Sequence, residues 1–113
     1  MNDIMNKTRI SLRTTNPDAV KLTLSWEEVL VLDIGSSEKV FNRFRSPSSR
    51  SIENLVRAGL LQNESNDSMR VIAHENVPKI YKAVSAAISA ADKRTPFLIK
   101  LIAGGIEYEI TYK

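Results

Sequence analysis

The chain has 113 residues, 42% of them hydrophobic and 26% charged, with a formal net charge of +3 and no cysteine. That length fits a single domain over 1–113, able to bury roughly two-thirds of the surface its unfolded form exposes. Disulfides and thiolate metal sites are excluded, in keeping with a reducing, cytoplasmic setting, and no apolar run approaches the ~20 residues of a membrane helix.

Residues 1–8 are polar, lack the apolar core of a signal peptide, and are expected to be flexible. Ile10 and Leu12 alternate with Arg9, Ser11 and Arg13, and Val20, Leu22 and Leu24 alternate with Lys21 and Thr23. Thr15-Asn16-Pro17-Asp18 between them is turn chemistry, because proline presets φ and Asn and Asp bond nearby backbone. An N-terminal β-hairpin is expected; a helix opening at Pro17 is the competing reading. Ser25-Trp26-Glu27-Glu28 has the spacing of a capping box, in which the Ser25 hydroxyl and the Glu28 carboxylate serve each other's backbone amides. Val29 to Ile34 would follow as a short helix closed by Gly35, although its β-branched residues would equally suit a buried strand.

Ser36 or Ser37 would cap a second short helix, with Val40, Phe41 and Phe44 at helical spacing and pointing inward. Ser46-Pro47 stops it, since the residue before proline avoids the helical region. Ser48 or Ser49 would cap a third helix with Ile52, Leu55 and Val56 inward and Gly59 as its end. Leu60 and Leu61 open a strand, Asn63 to Ser68 forms a polar loop, and Met69 to Ala73 returns. Asn76 would cap a long helix with Pro78 in its first turn, striped by Val77, Ile80, Tyr81, Val84, Ala87, Ile88 and Ala91, and stopped at Pro96.

Residues 97–113 read as a hairpin around Gly104-Gly105, whose positive φ angles suit a two-residue turn. Ala103 then pairs Ile106, Leu101 pairs Tyr108, Ile99 pairs Ile110 and Phe97 pairs Tyr112, all on one apolar face. Lys100 falls opposite Glu109 on the other face. Leu98 and Ile102 share that nominally wet face, which suggests cover from another subunit.

Enzyme chemistry finds little footing. His74 is the single histidine, and no serine sits in the strained, glycine-flanked turn that a Ser-His-Asp triad on such a fold would use. Glu107 and Glu109 share a strand face and read as its solvated side. No His, Asp and Glu cluster has metal-ligand spacing, so neither a catalytic residue nor a metal or cofactor is expected. Gly104-Gly105 precedes a strand rather than a helix, so it is a turn and not a phosphate cradle.

The charge is unevenly spread. Between Ser36 and Gln62, Lys39, Arg43, Arg45, Arg50 and Arg57 face only Glu38 and Glu53, a local net of 5 − 2 = +3. The rest of the chain holds 16 − 5 = 11 basic and 13 − 2 = 11 acidic side chains. A helix N-terminus with free amides attracts phosphate, and the helix from Ser48 begins inside Arg45-Ser46-Pro47-Ser48-Ser49-Arg50-Ser51. Small hydroxyl side chains allow close backbone approach. On the outward side, Arg50 could grip phosphate or read guanine and Asn54 could read adenine. An ordinary serine cap with a solvated face is the plainer reading of the same residues.

With its three short helices followed by Leu55-Val56-Arg57-Ala58-Gly59-Leu60-Leu61, the chain over 25–90 resembles a winged helix-turn-helix domain of the prokaryotic regulator type. The resemblance implies a winged-helix core; the antiparallel hairpins expected at both termini are not part of that common pattern, and together they make an α+β fold. It implies duplex DNA binding, with the helix near Ser48 in the major groove and Asn63 to Ser68 as the wing. Ser48, Ser49, Arg50, Ser51 and Asn54 would take the recognition positions, with Lys39, Arg43, Arg45, Arg57 and Arg70 around them. The helix from Val77 is similar to one that mediates dimerisation in that family, so a homodimer is expected. Glu64 and Asp67 in the wing would repel phosphate. Such carboxylates, with the apolar last hairpin, favour the alternative of a protein-interaction module: an adaptor, or an inhibitor of a larger nucleic-acid-processing complex.

Overall fold

The computed structural model describes residues 10–14 and 20–112. The flexible start expected over 1–8 and the turn at 15–18 lie outside these residues. Over the described residues the chain is α+β, with three α-helices and two antiparallel sheets over one continuous buried cluster.

The two terminal hairpins form as their alternation dictates. Strand β1 (Ile10–Thr14) pairs with β2 (Val20–Leu24), placing Ile10 opposite Leu24 and Leu12 opposite Leu22. Strands β6 (Phe97–Ala103) and β7 (Ile106–Tyr112) turn at Gly104 and Gly105, with φ of +58° and +78°. Their pairing is the expected one, Ala103 to Ile106 through Phe97 to Tyr112, and Lys100 Nζ lies 3.9 Å from a Glu109 carboxylate oxygen. The hairpins are not separate additions. Strand β1 also pairs with β7, Leu12 opposite Ile110, to give a four-stranded sheet in the order β2-β1-β7-β6. Ile10, Leu12, Leu22, Leu24, Tyr108 and Ile110 are buried along one face of it.

Helix α1 (Trp26–Ser37) starts from the expected capping box: Glu28 accepts from the Ser25 amide at 2.8 Å. The helix reading of Val29 to Ile34 prevails over the strand, because Val31 and Leu32 face the core together one turn from Glu28. Gly35 does not close this helix, which continues to Ser37. A Cβ at Gly35 would lie 3.1 Å from the Ala73 Cβ, so the glycine lets α1 approach a strand closely.

The second short helix expected from Ser37 is absent. Val40–Asn42 is a strand, β3, followed by a single 3₁₀ turn at Arg43–Arg45. Its burial has period two, with Phe41 inward and Val40 and Asn42 outward. Phe44 is accordingly not a core residue but 73% exposed. The Asn42 side chain accepts from the Phe44 amide at 2.8 Å and fixes the turn.

Helix α2 (Ser49–Arg57) begins at Ser48, whose hydroxyl accepts from the Ser51 amide at 3.1 Å. It ends at Gly59, φ +79°, where the Leu60 amide donates to the Leu55 carbonyl and the Gly59 amide to Val56. Strands β4 (Leu61–Asn63) and β5 (Arg70–Ala73) follow, and β5 lies centrally in a three-stranded sheet of order β3-β5-β4. Helix α3 (Val77–Asp92) packs between α1 and the four-stranded sheet. Asn76 precedes it, but its buried side-chain amide does not cap the helix. It donates instead to the Ala103 carbonyl and the Tyr108 hydroxyl, both at 2.9 Å, tying the tip of the last hairpin to the helix start.

Candidate nucleic-acid interface

The residues singled out from the sequence fall into three structural groups. Ser49, Arg50, Asn54 and Arg57 belong to α2, with Ser48 as its cap. At 100° per residue, Arg50 and Arg57 come onto one face of that helix, two turns and ~10 Å apart, with Glu53 and Asn54 between them. Arg43 and Arg45 belong to the 3₁₀ turn that feeds α2, and Arg70 opens β5 opposite Asn42 in β3. Lys39 stands apart, at the other end of β3. Its carbonyl accepts from the Ala73 amide, and the residue borders a shallow hollow with Gly59, Gln62 and His74. The positive cluster read from the sequence is therefore divided along β3: Arg43 and Arg70 stand at the loop end of the small sheet and Lys39 at the other end, next to the Glu38 that Arg45 reaches.

Several of these side chains are engaged within the fold. Arg43 donates through Nε to the Ser68 carbonyl at 3.0 Å and through a terminal nitrogen to the Asn63 side chain, spanning the loop between β4 and β5. Arg45 forms an ion pair with Glu38. Arg70 lies 3.6 Å from the Asp67 carboxylate, and Arg57 donates to Asn54 Oδ1 at 3.0 Å. These ion pairs are solvent-exposed, so each is worth little and can be exchanged for another anion. Arg50 and Lys39 are exposed, and neither makes an ion pair among the described residues.

The serines act mainly as architecture. Ser51 is fully buried, its hydroxyl 2.7 Å from the Ser48 carbonyl and 2.8 Å from Ser46 Oγ. Ser48 is occupied as the cap, while Ser49 is exposed. Asn54 is half-buried; its amide lies 3.5 Å from Glu28 Oε2, the oxygen not used by the capping box. One carboxylate thus starts α1 and faces α2. Ser51 and Asn54 are committed to holding α2 rather than offered to a ligand.

The exposed residues that remain in this segment are Phe44, Arg45, Pro47, Ser49, Arg50, Glu53 and Arg57. Phe44 was not among the sequence candidates. The signal was present in the period-two run Val40-Phe41-Asn42, which ends where an asparagine can cap a tight turn. The result is an exposed aromatic ring flanked in sequence by two arginines, next to a helix start bearing a third. Glu53 sits three residues after Arg50 and four before Arg57, and its negative charge lowers the potential of that face.

Among the described residues no group of histidine and acidic side chains could hold a metal ion, and no helix is long and apolar enough to cross a membrane. Compared with known protein families, with curated proteins and with solved structures, the chain shows no significant match to any.

Proposed function

We propose that this chain is a small, cytoplasmic DNA-binding regulator of the winged helix-turn-helix type, meeting duplex DNA with the outward face of α2. The observation that carries the reading is the succession α1, β3, tight turn, α2, β4 and β5, with β5 between its neighbours in the small sheet. This resembles a helix-turn-helix unit followed by a two-stranded wing, with the first of its turn-flanking helices reduced to Arg43–Arg45. Arg50 is the first candidate for base or phosphate contact, because it is exposed near the start of α2 with its charge unspent. Arg45 and Arg57 support it by giving up weak surface partners. Phe44 supplies an apolar contact beside them. Arg43 and Arg70 set the wing, and Lys39 lies at the other end of β3 from them.

Fluorescence anisotropy against random-sequence duplexes at low salt tests this. Binding should weaken with a slope of log affinity on log salt near about −3, for roughly three phosphate contacts per chain. Arg50→Ala should cost about 1–3 kcal/mol if the side chain reads a base. Absence of any duplex binding at low salt would end the proposal.

A second reading rests on Glu53 within the same face and on Glu64 and Asp67 in the loop, which oppose phosphate. In it the surface is a protein-interaction module, an adaptor or inhibitor without catalysis. A stoichiometric partner retained by Arg45→Ala and Arg50→Ala variants would favour it.

A further inference from the structure

Strand β6 ends the four-stranded sheet, so one side of its backbone has no strand beside it among the described residues. The closing pair of a two-residue hairpin exchanges both hydrogen bonds, and the pattern alternates from there. Ala103, Leu101, Ile99 and Phe97 therefore bond toward β7. Leu98, Lys100 and Ile102 turn their amide and carbonyl groups to the open edge. Leu98 and Ile102 are 62% and 71% exposed, and Ile99 on the opposite face is 37% exposed. The other edge of the sheet, β2, carries exposed Lys21 and Thr23 on its outer face and is protected in the usual way.

The sequence of β6, Phe-Leu-Ile-Lys-Leu-Ile-Ala, is nearly palindromic in character about Lys100. We infer that β6 is a homodimer interface, pairing antiparallel with β6 of a second copy about a two-fold axis at Lys100 to make one continuous sheet of eight strands. This register sets Leu98 opposite Ile102 of the partner subunit and Ile99 opposite Leu101 of the partner subunit. It uses every outward amide and carbonyl of Leu98, Lys100 and Ile102. A shift of two residues either way loses a third of those bonds and sets Lys100 against an apolar side chain. An isologous contact of this kind needs a self-complementary strand, a symmetry that an unrelated partner would not require. The cost is Lys100 facing its own copy. Glu109, which lies between Lys100 and Arg13 of β1 on that face, offsets part of the repulsion in each chain. The stripe of α3 formed by Val77, Ile80, Val84, Ala87 and Ala91 is buried within the chain and is not open to a partner. The inference does not depend on DNA binding.

Light scattering on the full chain tests the interface. The expected mass is twice 12.7 kDa, that is 25.4 kDa. Ile102→Lys should return it to 12.7 kDa at the same concentration with an unchanged circular dichroism spectrum. The chain has no native cysteine, so single cysteines report the register. Lys100→Cys should cross-link to its own copy on mild oxidation, because a hydrogen-bonded antiparallel pair holds its Cα atoms about 5.5 Å apart. Ile102→Cys alone should not, since it meets position 98 of the other copy. A monomeric wild-type chain, or a dimer that survives Ile102→Lys, overturns the interface. Cross-linking at 102 but not at 100 overturns the register.

Discussion

The two sheets of this molecule are held by different forces. The four-stranded sheet has strands of five and seven residues and buries a row of large apolar side chains under α3. The three-stranded sheet has strands of three and four residues. It buries Phe41, Leu61, Val71 and Ala73, and its loop is fastened by polar contacts: Arg43 to Ser68 and Asn63, and the Asp67 side chain to the Met69 amide at 2.9 Å. Apolar burial is worth about 25 cal/mol per Å², whereas an exposed hydrogen bond nets little. The larger sheet is therefore the anchor, and the smaller one can carry a surface loop that opens locally without unfolding the chain.

The sharpest way to break this contrast is to cut the core of the larger sheet. Ile110→Ala, at a fully buried position, should cost about 2–5 kcal/mol in chemical denaturation. A loss below 1 kcal/mol would show that the sheet is not the anchor. Asn76→Ala comes next. It leaves the Ala103 carbonyl and the Tyr108 hydroxyl without this donor, and should cost about 1–3 kcal/mol in the same assay. Arg43→Ala should cost only about 0.5–1.5 kcal/mol overall. Its main effect should be faster hydrogen exchange confined to residues 63–70; exchange accelerated throughout the chain would merge the two regions into one cooperative unit. Arg50→Ala should leave stability within about 0.5 kcal/mol, because the side chain is exposed and makes no ion pair among the described residues. A larger loss would mean that Arg50 serves structure, and would weaken its proposed role toward DNA.

The hairpins could be read from the chain because the strands of each alternate, and in the last one the turn also fixes the register. Gly104-Gly105 sets the seven pairs between 97–103 and 106–112 in just this way. The α2 cap, its Gly59 ending and α3 were readable for the same reason. The segment from Ser36 to Arg45 was not. Phe41 and Phe44 suit a helical stripe, but Val40 to Asn42 find their hydrogen-bond partners in β5, on the far side of α2. Helical spacing is a weak signal over so few residues, and a strand partner outweighs it. The interface suffered similarly. Arginines could be counted, yet their ion pairs with Glu38 and Asp67, and the burial of Ser51 and Asn54 against neighbouring elements, depend on which segments meet.

Periodicity, caps and turn residues were enough to place the four long strands, the capping box at Ser25 and Glu28 and the helix over Val77–Asp92, since each of these is settled by neighbours along the chain. Folding then joined the first and last hairpins through β1 and β7, turned Phe44 outward, made Gly35 a point of close approach and separated Lys39 from Arg43 and Arg70. Those outcomes follow from hydrogen bonds and packing between distant segments, whose energies no local pattern of residues contains.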